Sequence, residues 1–565
     1  MAITGSMAGG HGVATGNGPA APGRRAIGLP SPGTRYARRG MVASASPAAA
    51  AVGLRVLLDG GNAFDAAIAT ALVEGLTLPG ACGLGGDMFA VLYDARERRV
   101  WAINGSGVAP RAASREYYVS RGHAMMPLTG IHSVSVPGAP DAYWTLHQRF
   151  GTKPWAELVA PAIDYAERGL PVSARLARSL ASARAKLQPV EAAARELLPD
   201  GEAPQPGTLL RRPDYARSLR RFADGGAEPF YRGEIAAELV DLARSLGGLF
   251  TRDDFATHQT EVYEPIHVSY RGVEVYETRP PSQGLLVLEQ LNLLEGFDLA
   301  SLGFGTAETL HLMVEAKKLA FADRLRYAGD PRFVDMPLGE LLSKEFAARR
   351  RQAIDPERAA MQVAGSLPET LLGDTSYFCV ADEQGNAISF IHSLSAGFGS
   401  GVVAGETGII LNNRAGRGFT LEAGHPNVLA GGKRTMHTLN CYLLLRDGAL
   451  YAVGGTPGGD QQPQWNVQVI TGLLDFGMDA QQAAEAPRWY SFPGTDPEHA
   501  HHAFELRLES RFGPEVVAAL EAKGHRVVDL GPWGAPSAVQ LILREPSGVL
   551  AGGSDPRAGG IALGF

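Results

Sequence analysis

The sequence predicts a mixed α+β fold, and three observations carry that reading. Apolar residues recur at helical spacing through long stretches, notably Pro154 to Leu187 and Ile235 to Leu246. Short strand-like runs interrupt them at Gly40–Ser44 and Met88–Tyr93. A third lies around the turn Glu383-Gln384-Gly385-Asn386, which Val380, Ile388 and Phe390 flank as in a β-hairpin. Finally, 565 residues that are 45% hydrophobic and 20% charged suffice for a large buried core.

Composition narrows the function. A net charge of −7 argues against a nucleic-acid partner. The 70 glycines and 37 prolines imply many tight turns without a fibrous repeat. Three cysteines, Cys82, Cys379 and Cys441, cannot all pair, and their apolar surroundings read as buried thiols in a reducing compartment. Residues 1–38 are rich in Gly, Ala and Pro and lack the apolar core of a signal peptide. No run elsewhere has transmembrane length. The expectation is a flexible leader on a cytoplasmic protein that does not engage a membrane.

Along the chain, the strand Gly40–Ser44 precedes a helix opened by Pro47. Val52, Leu54, Val56 and Leu57 give that helix its apolar positions, and Gly60-Gly61-Asn62-Ala63 ends it. A second helix runs from Asp65 through Leu76. The glycine-rich stretch Pro79–Asp87 lacks the Lys-Ser/Thr of a phosphate loop and dinucleotide spacing, so it reads as a close-packed turn. Lys344–Arg351 reads as a solvated helix face. Residues 353–372 are polar and suit an exposed loop.

That loop leads into Gly373-Asp374-Thr375-Ser376-Tyr377, and Thr375 heads the first strand of the hairpin. An internal threonine is a poor nucleophile, since no base adjoins its hydroxyl. Cutting the bond before it would give Thr375 an α-amine, of reference pKa roughly 8, within reach of that hydroxyl. The chain then reads as a self-cleaving precursor. The plain alternative is a threonine placed by β-propensity alone.

From Thr375 onward the sequence resembles the γ-glutamyltransferase (γ-glutamyl transpeptidase) family of N-terminal-nucleophile hydrolases. The resemblance rests on Asp374-Thr375, Asp382–Ala387, Gly397-Phe398-Gly399-Ser400-Gly401 and Gly405–Asn413. It extends to the opening Gly40–Thr70, to Tyr270–Gly284, which resembles the family's strand and Pro-Pro-Ser loop before a helix through Leu294, to Glu315–Arg324, which resembles a family helix, and to Gly531–Gln540 and Gly553–Arg557 near the end. It implies a four-layer αββα sandwich cut between Asp374 and Thr375. Residues 39–374 would be the large fragment and 375–565 the small one, the two intertwined as a heterodimer. It also implies that Gly458 and Gly459 supply the oxyanion-hole N–H groups and that Ser393 hydrogen-bonds the new amine. Taken alone, Pro457-Gly458-Gly459 is a turn and Ser393 a strand serine. No metal or organic cofactor is implied, and the cluster His499, His501 and His502 reads as an exposed loop.

The substrate-binding positions depart from the family. Ser106 stands where glutathione-cleaving relatives carry a carboxylate-clamping arginine, and Arg111 is displaced from it. Arg414 falls where a glutamine is usual, Arg417 near the usual acidic residue, Ser395 for an asparagine, and His437-Thr438 for paired serines. Two arginines would repel an α-ammonium and attract a carboxylate. The expected substrate is a small amide of a dicarboxylic acid, of oxamate, glutaryl or malonyl type, with water or an amine as acyl acceptor. Against this, Arg414 and Arg417 could be loop residues paired with Glu406 or Glu422. Asp460–Trp465 could line the pocket mouth or cap a helix Val467–Leu474. The rival functions are true γ-glutamyl transfer from glutathione and a non-catalytic binding or scaffold protein. Pairing of heterodimers into a higher oligomer is open.

Overall fold

A computed structural model describes residues 33–361, 374–494 and 503–565. Two seven-stranded sheets form its centre. In spatial order, the first holds Ile561–Gly564, Met41–Ser44, Asp374–Ala381, Ala387–Ser395, Asp87–Asp94, Arg99–Gly105 and Glu261–Tyr263. The second holds Arg35–Ala37, Leu550–Ser554, Gln540–Arg544, Ala449–Gly455, Tyr442–Arg446, Val273–Glu277 and Ile266–Tyr270. Neighbouring strands are antiparallel throughout both.

The period-two alternation of a strand decides what each face meets. In Asp374–Ala381, Tyr377 and Cys379 pack between the sheets with Phe89, Ile391, Leu443 and Val453. Phe378 and Val380 point the other way, against helices that include Pro47–Leu58, Ala63–Thr77 and Ala139–Phe150. On the far side, Val275, Leu444 and Leu541 pack under Gly284–Leu294, Ala307–Tyr327 and Gln462–Leu474. Helix, sheet, sheet, helix is the expected four-layer αββα sandwich. Both sheets draw strands from before and after residue 374, so the two stretches are interwoven.

Local chemistry explains the helix starts. Ser46 caps Pro47–Leu58 by accepting from Ala49 N–H, with proline at the first helical position. Asn62 and Asp65 form a capping box that starts the second helix at Ala63. The glycine-rich turn Pro79–Asp87 is packed tightly against the hairpin. A Cβ on Gly86 would stand 2.4 Å from the Ser393 carbonyl oxygen, so only glycine lets the chain pass there.

Some boundaries differ from expectation. Leader residues Arg35–Ala37 form an edge strand on Leu550–Ala551-Gly552. Arg38 and Arg39 N–H tie the chain there to the Phe565 carbonyl at 3.0 and 2.8 Å. A three-residue strand is too short to carry a pattern; leader residues 1–32 lie outside the described residues. The helical stretch from Pro154 is broken at Gly169, where φ is 110°, into Trp155–Arg168 and Ala174–Leu187. Lys344–Arg351 is helical, yet Arg350 pairs with Asp323 at 2.9 Å and Arg351 donates to the Leu293 and Asn292 carbonyls. Its basic side chains therefore dock the helix rather than merely solvate it. Residues 362–372 of the expected loop, and His499, His501 and His502, lie outside the described residues.

Candidate active site

Thr375 is 3% exposed and sits at an irregularity between the hairpin strands. Asp374 pairs with Ser395 and Ser376 with His392, so Ser393 and Leu394 together stand against Thr375. Such a bulge re-aims a side chain at a strand end. The Thr375 hydroxyl donates to Ser393 Oγ at 3.1 Å, and Ser395 N–H donates to the same oxygen at 2.8 Å. Ser395 takes a left-handed φ of 86°, rare for a residue bearing a Cβ, and so turns the chain immediately beyond the pair.

Gly458 and Thr375 line one cleft of about 1090 Å³, together with Gly397 and Pro457. Gly458 has φ 136° and Gly459 φ 58°, and a short turn from Gly459 leads directly into Gln462–Leu474. The pair therefore lies at the positive end of a helix, where N–H groups favour a developing anion. The glycine loop is held from behind. Gln283 donates to the Gly459 carbonyl at 2.9 Å and to the Thr438 carbonyl, and Arg324 bridges Gln283 Oε1 and Asp460 Oδ1 at 2.5 and 2.6 Å. Asp460 is thus a buried brace, and Trp465 is wholly buried, its ring 2.4 Å from where a Gly458 Cβ would be. The helix begins at Gln462, five residues before the expected Val467.

The residues expected to bind substrate are buried in a second cluster. Asp87 stands opposite Ser393 in the sheet. Its Oδ2 lies 3.3 Å from Arg414 Nε and 3.3 Å from His437 Nε2, and Arg414 Nη1 donates to Thr438 Oγ1 at 3.4 Å. Arg417 Nη1 donates to the Ser395 carbonyl at 2.9 Å. Burial pushes the Asp87 carboxyl up, but the His437 and Arg414 interactions together hold it below the ordinary carboxylate range. Burial and then the Arg414 charge push His437 down to about 4, so it is a neutral imidazole at pH 7. Arg414 and Arg417 are not surface loop residues, and Glu406 faces Arg217 at 3.7 Å. Ser106 donates to Asn104 Oδ1 at 2.6 Å, while Arg111 is directed to Thr257.

Sequence reading did not find Asp87, or the braces Gln283 and Arg324, which it took as structural. It also missed a buried chain behind the strand Ala387–Ser395, in which Tyr143 bonds His392 Nδ1 at 2.7 Å and His392 Nε2 meets Glu74 at 2.8 Å. Among the described residues, two clusters have metal-ligand composition, Glu74–Cys82–His392 and His311–Glu315–His525. Their donors are engaged by the protein: Ser44 and His392 hold Glu74, and His311 is bonded to His525 and to the Asp355 carbonyl.

A four-layer sandwich with a buried hydroxyl heading an inner strand is the architecture of N-terminal-nucleophile hydrolases. The family model of gamma-glutamyltranspeptidase matches residues 49–565, and the chain belongs to that family. It is 37% identical to a glutathione hydrolase-like proenzyme, YwrD, of Bacillus subtilis over 93% of this chain and 98% of that protein. It is 34% identical to an oxamate amidohydrolase proenzyme of Klebsiella pneumoniae, again over 93% and 98%. The crystal structure of a cephalosporin acylase from Bacillus halodurans superposes with a TM-score of 0.88 at 36% identity, covering 97% of this chain and 99% of that one. The chain is an enzyme of the amidohydrolase and acyltransferase kind.

Proposed function

We propose that the chain is a self-processing amidohydrolase in which Thr375 is the N-terminal nucleophile. The observation that carries this is the buried Thr375 hydroxyl, bonded to Ser393 at 3.1 Å and opening on the same cleft as Gly458. In processing, Thr375 Oγ1 attacks the carbonyl carbon of Asp374. The C–N bond breaks, the nitrogen takes the hydroxyl proton, and water hydrolyses the resulting ester. The freed amine then serves as base for the same hydroxyl. Attack on an amide gives an acyl-enzyme, the amine leaves with a proton, and water or a second amine takes the acyl group. The N–H groups of Gly458 and Gly459 receive the oxyanion.

The acyl group is a short carboxylate-bearing one, of oxamate, glutaryl or malonyl type, rather than γ-glutamyl. Arg414, Arg417, Ser395, His437 and Thr438 are its candidate contacts. In support, Ser106 offers no guanidinium for an α-carboxylate, and both arginines lie beside Ser393 and Ser395, where an α-ammonium would be repelled. The product of processing is a heterodimer, and its buried thiols fit a cytoplasmic enzyme. The test is amine release from glutaryl, malonyl and γ-glutamyl anilides by the processed enzyme, together with ammonia release from oxamate. Preference for a γ-glutamyl donor would overturn the substrate reading.

A further inference from the structure

The cleft beside Thr375 is far larger than a short dicarboxylic acyl group requires, at about 1090 Å³. None of Ser393, Ser395, Arg414, Arg417, His437 or Thr438 lines it. Its walls come instead from Pro47, Tyr165, the break at Leu170-Pro171, the helix Ala174–Leu187, and the loop around Trp533. The two halves of an amide must leave the reacting carbon in different directions. With the acyl half towards the Arg414–Asp87 cluster, the cleft is left to the amine half.

Its charge is one-sided. Arg175, Arg178 and Arg557 line it, and the described lining residues include no carboxylate. The Arg557 charge is matched by Asp555 at 2.9 Å and Glu509 at 2.8 Å. Arg175 donates to the Ala558 carbonyl at 3.1 Å, a contact that leaves its charge in place, and Arg178 has no partner among the described residues. The two stand three residues apart on one helix face, so their fields add in the cleft. Trp533, pinned by the Arg511 guanidinium 3.5 Å over its ring, and Tyr165 give aromatic surface.

We propose that this cleft is the amine subsite and that Arg175 and Arg178 select amines bearing a ring and a carboxylate. The assignment of the cleft to the amine half rests on Thr375 as the nucleophile. The test uses a matched pair of amines, 5-amino-2-nitrobenzoate and 4-nitroaniline, which differ by one carboxylate. Calorimetric binding to the purified protein is measured for the wild type, Arg178→Ala and the double variant Arg175→Ala/Arg178→Ala. Turnover of the two corresponding glutaryl anilides is followed in parallel.

The wild type binds the carboxylated amine about tenfold more tightly, the scale of one charge-assisted hydrogen bond. Arg178→Ala, on an exposed position, loses part of that preference and the double variant loses it all. Binding of 4-nitroaniline changes less than about twofold, as expected for contacts with the carboxylate alone. Equal binding of both amines by the wild type, binding of neither, or a preference that survives the double variant overturns the proposal. The binding arm does not depend on catalysis. An uncut chain that still discriminates sinks the nucleophile reading, whereas a cut, active enzyme without discrimination sinks the subsite.

Discussion

The proposed reaction rests on three side-chain-scale features: a hydroxyl at a bulge, a serine that accepts from it, and a glycine on the same cleft. Ser393 Oγ accepts from both the Thr375 hydroxyl and Ser395 N–H, so it fixes that hydroxyl against the turn. Ser393→Ala removes that acceptor, and processing slows by roughly 10²-fold while the chain still folds; the rate of fragment appearance on a gel checks this. Gly458→Ala places a Cβ against the Trp465 ring at 2.4 Å, where φ is 136°. Moving the N–H out of line lowers kcat by about 10²-fold or more. Steady-state kinetics on a glutaryl anilide measure it, and unchanged kcat would take Gly458 out of the oxyanion hole.

Single elements convert these residues into a site. The hairpin Asp374–Ala381 and Ala387–Ser395 carries Thr375 and Ser393, and the start of Gln462–Leu474 presents the glycine pair. Arg324, 2% exposed, braces that start through Gln283 and Asp460. Arg324→Met removes one buried partner of Asp460 and loosens the glycine loop, at about 3–5 kcal/mol for breaking a buried pair. Thermal unfolding and kcat should fall together; loss of neither would make Arg324 incidental.

Much of this scale was legible in the sequence. The hairpin turn, the helix opened by Pro47, and the close-packed glycines before Asp87 follow from local chemistry and spacing. What escaped depends on distant partners. Asp87 lies 327 positions from Arg414, so no window on either residue reveals that the guanidinium is already paired. Separations of 176 and 136 positions likewise hid the roles of Gln283 and Arg324. The break at Gly169 was lost inside a helical average, yet it supplies part of the cleft wall.

Across the whole molecule, interweaving and buried histidines set behaviour in solution. Burial holds His437 and His258 down to about 4 and His525 down to about 3, against about 6.5 in an unfolded chain. As pH falls from about 6.5 towards 4 the unfolded state binds more protons. The stabilisation these neutral imidazoles give is complete above that window and is lost as pH falls through it. Melting temperature should therefore drop between pH 7 and pH 5, and His525→Gln should flatten part of the slope. A melting temperature independent of pH over that range would contradict the assignment of neutral, buried imidazoles.

Both sheets take strands from each side of residue 374, so a cut there leaves two chains that cannot part without unfolding. The central claim, that Thr375 becomes an N-terminus and then the catalyst, is tested most directly by intact mass and N-terminal sequencing of purified wild type beside Thr375→Ala. The account predicts two co-eluting wild-type fragments, the smaller beginning Thr375-Ser376-Tyr377, and a single uncut, inactive chain for the variant. A wild type that stays whole for days yet hydrolyses amides, or a variant that is cut and active, would contradict it.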